Sequence, residues 1–196
     1  MKTPYYYKTA YKPDVLLAHY RRVADESPIP VMLYSIPQFT GITLTAAEVT
    51  ALAEHPNIIG IKDSSGNVLG VAETIAATPT KFQVLVGSAA SVYPSLAIGA
   101  RGAILALACA LPEKCVALYE LFQRGHHEKA RELQAILVRA SKLIVSEFSI
   151  AGVKYAMDQR GYRGGIPRLP LLPLHHEQKK RLTDLLAALE PAAVRA

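Results

Sequence analysis

The stretch Ile58-Ile59-Gly60-Ile61-Lys62-Asp63-Ser64-Ser65-Gly66-Asn67 decides the fold. Its apolar beginning predicts a short buried strand from Ile58 to Lys62, and the polar residues and glycine that follow predict a turn. The strand is continuously apolar, without alternation, which is typical of a parallel strand in an α/β sheet. Lys62 therefore stands where a buried strand passes into a loop.

Lys62 has two interpretations at such a position. An ammonium at the end of a packed strand loses hydration, and a lysine can avoid this cost by extending its stem along apolar surface until the amine reaches solvent. Alternatively, a lysine whose pKa is lowered by burial is the usual nucleophile that forms a Schiff base with a ketone. The segment alone leaves both interpretations open.

Strands and helices alternate through the first part of the chain. We predict strands at 30–35, 58–62, 82–87 and 102–107. Helical spacing and end signals, among them a capping-box pattern at Thr45–Glu48, predict helices at 14–27, 45–54, 68–78, 91–98 and 112–124. Short connections and apolar strands indicate an α/β fold with a parallel sheet. From 126 onward the pattern is helical only, at 128–148, 152–159 and 176–189.

The composition limits the functions that the chain can have. Its 196 residues are 51% hydrophobic and carry a formal charge of +6, which fits one domain with a substantial core, with or without a small appendage. The basic residues lie in short groups on helix-like segments, so we expect no nucleic-acid partner. No apolar stretch is long enough to cross a bilayer, and the first residues lack the pattern of a signal peptide.

Metal ions and other cofactors are not expected either. The six histidines lie on helices or turns without ligand spacing toward the strand ends. Cys109 and Cys115 lie in apolar sequence, where we expect small core residues in a reducing compartment and no disulfide. No glycine-rich phosphate loop follows a strand, which argues against a nucleotide. The sequence thus predicts an activity without a cofactor.

The strand ends carry the residues that could perform chemistry. In parallel βα arrays the loops after the strands form the ligand face, and Tyr34 and Lys62 end successive strands. A lysine can form an iminium with a 2-oxo acid while a phenol transfers protons at the hydroxyl of the bond being cleaved. Ser64 and Ser88 are short donors suited to substrate hydroxyl or carboxylate groups. Alone, Tyr34 also fits a core tyrosine whose hydroxyl is bonded locally.

The ordered set of motifs resembles the dihydrodipicolinate synthase / N-acetylneuraminate lyase superfamily of class I aldolases. Within that superfamily, the chain is most similar to 4-hydroxy-2-oxoglutarate aldolase. The resemblance covers essentially the whole chain, and the order of the motifs is more specific than any one of them. The motifs are Thr3-Pro4-Tyr5-Tyr6-Tyr7-Lys8, Tyr34-Ser35-Ile36-Pro37, Gly41, 57–64, Val86-Gly87-Ser88 and 161–165.

The resemblance implies a role for each matching residue. Lys62 is expected to form the Schiff base, Tyr34 to shuttle protons, and Tyr6 to reach the active site of a neighbouring subunit. Ser64 is expected to touch the distal part of the substrate. The remaining pocket residues that the resemblance implies are Gly87, Ser88 and the backbone of Ile104.

Phe39 is a departure that bears on the substrate. Dihydrodipicolinate synthases carry an arginine two residues after the proline of the tyrosine loop, where it binds a second carboxylate, and here this position is Phe39. A phenyl ring cannot bind a carboxylate in this way. The resemblance therefore favours cleavage of a short 4-hydroxy-2-oxo acid, such as 4-hydroxy-2-oxoglutarate to pyruvate and glyoxylate. Dihydrodipicolinate synthesis, N-acetylneuraminate and 2-keto-3-deoxy sugar acids remain the alternatives.

The fold class implied is a partial (β/α)₈ TIM barrel. The resemblance assigns the predicted strands to barrel strands five to eight, with the barrel part at 1–125 and a C-terminal helical extension at 126–196. A complete barrel takes about 250 residues. The family's Gly-Thr-Thr-Gly loop, whose backbone binds the pyruvate carboxylate, has no counterpart in this sequence. An open half-barrel has unpaired edges and an uncovered apolar inner face, so we expect it to be weakly stable or prone to self-association.

Three hypotheses follow for this chain. It is a class I aldolase whose N-terminal part lies outside this sequence, or an aldolase completed by a second half-barrel or separate chain, or a half-barrel without activity that serves as an oligomerisation partner. The resemblance implies a small 2-oxo acid as substrate and a homo-oligomer, a dimer or tetramer, as the assembly. We expect an intracellular protein, cytoplasmic or in the mitochondrial matrix, with no membrane partner.

Overall fold

The computed structural model describes residues 12–189. The chain divides into two compact units between Ile104 and Leu105. The predicted boundary between the barrel part and the helical extension lies later in the chain, at 125. The difference arises because the helix over Pro112–Gln123 packs against the next helix, His127–Ser141, within the second unit. A separate helical domain from 126 onward stays a prediction.

The first unit alternates helices and strands as the sequence predicts, except for one short helix after the first strand that was not predicted. The helices are α1 Pro13–Glu26, α2 Pro37–Thr40, α3 Ala46–Ala53, α4 Val68–Ala77 and α5 Val92–Ala97, and a 3₁₀ turn covers Ala89–Ser91. The strands are β1 Val31–Ser35, β2 Ile58–Asp63, β3 Gln83–Val86 and β4 Gly102–Ala103. They form one parallel sheet in the order β1-β2-β3-β4.

The fourth strand is shorter than expected. The sequence predicts a strand over 102–107, but β4 ends at Ala103, and a 3₁₀ turn over Ala106–Cys109 follows in the second unit. Apolar residues alone did not separate these two conformations, because a short apolar run of small residues suits either.

The two faces of the sheet differ in burial. Leu33, Ile61 and Val84 stand in register on one face and are at most 3% exposed, since α3 and α4 pack over this side. On the other face the side chains of β1 and β3 are only half-buried, in strict alternation along both strands. We call this second face, which carries Tyr34, Lys62 and Leu85, the inner face. The prediction is an uncovered apolar inner face, whereas the side chains of β1 and β3 on it are half-buried.

Gly60 lies at the base of the inner face. A Cβ atom there would stand 2.3 Å from the carbonyl oxygen of Gln83 and 3.1 Å from the Cε of Met32. Met32, Gly60 and Gln83 are partners in the ladder, and the two side chains fill the space above the glycine. This row lies directly below the next row on the same face, which contains Tyr34, Lys62 and Leu85.

The second unit is helical. It contains α6 Pro112–Gln123, α7 His127–Ser141, α8 Ser149–Gln159 and α9 His176–Leu189. The single helix predicted over 128–148 is α7 followed by a π-helical segment, Lys142–Glu147, and α8 begins earlier than predicted, at Ser149. Leu118, Leu137 and Leu182 are fully buried and belong to the core of this unit.

The prediction that both cysteines lie in the core is wrong. Cys109 is exposed, and Cys115 is half-buried at the start of α6. Burial, with a smaller contribution from Cys109, raises the pKa of the Cys115 thiol to about 11. Both cysteines are free thiols.

Candidate active site

Lys62 and Tyr34 are neighbours across two parallel strands. Tyr34 pairs with Lys62 in the β1–β2 ladder, and residues paired in a parallel ladder project from the same face. The Lys62 Nζ lies 4.2 Å from the centroid of the Tyr34 ring, which is a cation–π distance. The structure thus brings together the two residues that the sequence analysis placed at successive strand ends.

Backbone hydrogen bonds between neighbouring strands continue past the strand ends and align Ser64, Gly87 and Ile104 with one another. The amide of Ser64 donates to the carbonyl of Ser35 at 2.9 Å, that of Gly87 to Asp63 at 2.6 Å, and that of Ile104 to Val86 at 2.9 Å. Alternation from Lys62 therefore places Ser64, Gly87 and Ile104 on the inner face, above the lysine.

Gly87 provides the space in which the lysine and serine side chains lie. A Cβ atom on Gly87 would stand 1.8 Å from the Oγ of Ser64 and 2.9 Å from the Cε of Lys62. Any other residue would collide with one or both side chains. Gly87 is a pocket residue by the family resemblance, and the structure adds the reason that it is a glycine.

The structure limits how the backbone of Ile104 could contact a substrate. Its amide is already engaged with Val86, so only its carbonyl could contact a ligand through the backbone. Its side chain is 48% exposed. Ser88 follows Gly87, and its carbonyl accepts hydrogen bonds from the amide and hydroxyl of Ser91 at 3.2 and 3.3 Å. Substrate contacts by Ile104 and Ser88 stay predictions.

The carboxylate of Asp63, next to Lys62, forms its hydrogen bonds within the loop after β2. The Oδ1 of Asp63 accepts hydrogen bonds from the Ser65 amide at 2.8 Å and from the Ser65 hydroxyl. The Ser65 Oγ in turn accepts from the Asn67 amide at 3.0 Å, and the Asn67 side chain caps α4 by accepting from Gly70. Asp63 thus orders the turn between β2 and α4, and the lysine amine rests against the tyrosine ring.

Gln38 is a site residue that the sequence analysis missed. Its Nε2 donates to the carbonyl of Ser64 at 2.8 Å and to that of Ser65 at 3.2 Å. An exposed glutamine in a loop has no pattern that distinguishes it from any other polar residue. Only the fold shows that the loop after β1 is bonded to the loop after β2.

Tyr6 lies outside the described residues, so its predicted approach to a neighbouring active site stays a prediction. Residues 12–189 contain no group of three or more His, Cys, Asp or Glu side chains that could hold a metal ion. The roles assigned to Lys62, Tyr34, Ser64 and Gly87 also stay predictions, since geometry places these residues but does not show their chemistry.

A model of the dihydrodipicolinate synthetase family matches residues 1–189. The chain belongs to this family. It is 37% identical over 188 residues to 4-hydroxy-tetrahydrodipicolinate synthase of Archaeoglobus fulgidus, a match that covers 96% of this chain and 64% of the relative. The same enzyme of an Exiguobacterium species is 37% identical over 184 residues, covering 94% of this chain and 62% of the relative.

The solved structures of this family carry the same fold. The dihydrodipicolinate synthase DapA-2 of Bacillus anthracis superposes with a TM-score of 0.92 at 30% identity, covering 97% of this chain and 65% of that one. The E. coli family member YagE, solved in complex with pyruvate, gives a TM-score of 0.87 at 30% identity, covering 96% and 64%. A monomeric dihydrodipicolinate synthase variant gives a TM-score of 0.88 at 25% identity, covering 95% and 63%.

These comparisons sharpen and correct the family resemblance. The superfamily assignment is confirmed, and the α/β fold matches TIM-barrel enzymes of this family. The narrower similarity to 4-hydroxy-2-oxoglutarate aldolase is not supported, because these relatives are synthases. The chain spans a little under two thirds of the length of the relatives it matches, 64% and 62% for the two synthases.

The comparisons also bear on the expected location. The two synthases come from an archaeon and a bacterium, so they give the mitochondrial alternative no support. Among the described residues, no helix combines the length and the apolar character that crossing a membrane requires.

Proposed function

We propose that Lys62 forms a Schiff base with pyruvate or a related 2-oxo acid, as in a class I aldolase. The observation that carries this proposal is the position of the Lys62 Nζ, 4.2 Å from the centroid of the Tyr34 ring at the ends of adjacent strands. Membership of a family in which YagE binds pyruvate supports the choice of ligand.

The reaction begins with the neutral amine of Lys62. Its nitrogen attacks the 2-oxo carbon, the carbonyl oxygen leaves as water with the two amine hydrogens, and the resulting imine takes up one proton from solvent to become a cation. This cation accepts the electron pair released when a neighbouring C–C or C–H bond breaks. Tyr34 stands beside the nitrogen, where its phenol is suited to take the proton from the hydroxyl of the bond being cleaved and to return it.

The second reactant has two candidates, each with its own observation. Phe39, which is 69% exposed on α2, stands where the family resemblance implies an arginine in dihydrodipicolinate synthases, and this favours cleavage of 4-hydroxy-2-oxoglutarate to pyruvate and glyoxylate. The names of the two relatives instead favour synthesis of 4-hydroxy-tetrahydrodipicolinate. Both reactions pass through the same imine at Lys62.

The four strands are proposed to be strands five to eight of a barrel. Within the described residues, β1 and β4 end the sheet, and the inner face between them is only half-buried. Further strands of the same fold, from this polypeptide or another, would cover both. A homo-oligomer with Tyr6 at a neighbour's site belongs to this proposal, although one family member is a monomer. The competing proposal is a half-barrel that only supports assembly.

Reductive trapping tests the proposal directly. The protein is incubated with pyruvate and borohydride, and peptide mass spectrometry locates the product. We expect an adduct on Lys62, none in Lys62→Arg, and an unchanged adduct in Lys81→Arg, which alters an exposed lysine of the same unit. Absence of the adduct, or its appearance on other lysines only, contradicts the proposed function of this chain and favours the assembly role.

A product assay then separates the two reactions. Protein that forms the adduct is given 4-hydroxy-2-oxoglutarate, and release of pyruvate is measured. It is separately given pyruvate with glyoxylate or with an aldehyde that carries a distant carboxylate, and consumption of pyruvate is measured. Tyr34→Phe retains the aromatic ring beside the lysine but loses the phenol, so we expect turnover to fall by about 10²- to 10⁴-fold while the adduct persists.

A further inference from the structure

Gln38 connects the two loops that carry the candidate active site. Its side chain starts from α2, directly after β1, and its two hydrogen bonds end on Ser64 and Ser65, directly after β2. A carboxamide nitrogen has two N–H groups, and here each can serve one carbonyl. A single side chain therefore connects the loop that follows β1, after Tyr34, with the loop that follows β2, after Lys62.

The turn from which Gln38 extends is firmly built. Thr40 is 2% exposed, and its hydroxyl bonds to the carbonyls of Ile36 and Ile42 at 3.2 and 3.0 Å. Gly41 closes the turn in a left-handed conformation, with φ of 66°, and its amide donates to Pro37 at 2.8 Å. Hydrogen bonds thus hold the backbone turn from which the Gln38 side chain extends.

The loop after β2 is also held by hydrogen bonds that do not involve Gln38. The Ser64 amide is bonded to Ser35, and the Asp63 carboxylate and Ser65 hydroxyl tie the backbone from 63 to 67. The carbonyls of Ser64 and Ser65 accept from Gln38. These two bonds add to those that hold the backbone of Ser64, whose hydroxyl lies over Gly87 next to the stem of Lys62.

We propose that Gln38 is a positioning residue that fixes Ser64 for contact with the distal part of a 2-oxo acid bound at Lys62. This inference rests on the proposed Schiff-base function. Gln38 does not touch the reacting atoms. Lys62 and Tyr34 are held by the ladder itself, so the effect of Gln38 falls on Ser64 and the distal contact and leaves imine formation with pyruvate intact.

Three substitutions separate the hydrogen bonds from the bulk of the side chain. Gln38→Met keeps the length and removes both donors. Gln38→Glu keeps the shape and sets a carboxylate against two carbonyl oxygens, which repel it, until protonation restores one O–H donor. Gln123→Met is the control, because it makes the same change at an exposed position in α6.

The experiment compares borohydride trapping on Lys62 by pyruvate and by 4-hydroxy-2-oxoglutarate, which carries a distal hydroxyl and carboxylate. For Gln38→Met we expect the half-saturating concentration of pyruvate to stay within about twofold of the wild type, and that of 4-hydroxy-2-oxoglutarate to rise about tenfold, as the loss of hydrogen bonds predicts. For Gln38→Glu we expect a larger rise at neutral pH that declines toward the Gln38→Met value or below it as the pH is lowered.

A readout without substrate keeps the inference separate from the proposed function. Amide hydrogen exchange at residues 64–67 is expected to quicken in Gln38→Met and to remain unchanged in α3 and in Gln123→Met. Unchanged exchange overturns the positioning role even if Lys62 forms the imine. If the wild type forms no adduct, the proposed function fails, and with it the inference about the substrate. An equal loss for both acids also overturns the inference, since it means that Gln38 supports Lys62 itself.

Discussion

Gly87 shows how closely the candidate site is packed at the scale of single residues. The missing side chain of this glycine is the space that the Ser64 hydroxyl and the Lys62 stem occupy. The conformational freedom of glycine is not the reason for its presence, because Gly87 is not among the glycines with a positive φ. Steric room alone explains the choice.

Replacement of Gly87 by alanine is therefore expected to disrupt the site. The new methyl group would meet Ser64 and Lys62 below contact distance, so both side chains must move. We expect the unfolding free energy to fall by about 1–3 kcal/mol, as overpacking typically causes. Trapping of pyruvate on Lys62 should slow by about 10²-fold, because small displacements of reacting groups have effects of this size. Urea unfolding and the trapping rate measure these two effects.

Gly102→Ala is the matched control for this substitution. Gly102 pairs with Leu85 on the same face of the sheet, but a Cβ atom there would meet only the Leu85 Cδ2, at an ordinary 3.7 Å. We expect both measurements to stay close to the wild type. Equal effects at the two positions would show that the sheet tolerates no side chain at either glycine, and that contact with Ser64 and Lys62 is not what disrupts the site.

The sequence revealed some site residues more readily than others. Lys62 and Tyr34 were predictable because strand ends and a family motif mark them, and the structure places them side by side. The reason for Gly87 was not, since a glycine in sequence does not show what fills the space beside it. Gln38 carried no signal at all, because its partners are backbone carbonyls that are distant along the chain.

Local patterns specified the secondary structure well where the signal was local. The capping box at the start of α3 is present as predicted: the Thr45 hydroxyl accepts from the Glu48 amide, and the Glu48 carboxylate accepts from the Thr45 amide at 2.7 Å. By contrast, the early end of β4 and the π segment after α7 were not predicted. Helical and apolar periodicity does not distinguish a strand from a 3₁₀ turn, or an α from a π turn, over a few residues.

The capping box gives a prediction for α3. Thr45→Ala removes the side-chain oxygen that accepts from the Glu48 amide, and it also removes a partner of the Glu48 carboxylate, which is 9% exposed. We expect a loss of about 0.5–2 kcal/mol in unfolding free energy, measured by urea denaturation. Thr43→Ala, at an exposed position in the preceding loop, should change it by less than about 0.5 kcal/mol. Comparable losses at both positions would mean that the cap contributes nothing specific.

The shape of the sheet is the main feature at the scale of the whole molecule. Four parallel strands end at β1 and β4 within the described residues, and the inner face between them is half-buried. In a closed barrel neither an edge nor such a face is open to solvent, because closure pairs the outer strands and side chains fill the interior. The sequence motifs identified the family and the parallel strands, but they did not determine what covers this face.

We expect the chain on its own to self-associate through the inner face and the edges of the sheet. Unpaired edges and apolar surface both promote association between copies. Ile104 is the apolar residue of this face that is most open to solvent, at 48% exposed. Sedimentation velocity over a concentration series should show a rising apparent mass for the wild type and a shift toward the monomer for Ile104→Lys. Leu69→Lys, which makes the same change at a 70% exposed position on α4, should behave as the wild type. A wild type that remains monomeric at every concentration would show that the inner face is closed by other means, and the half-barrel proposal would then need a different covering element.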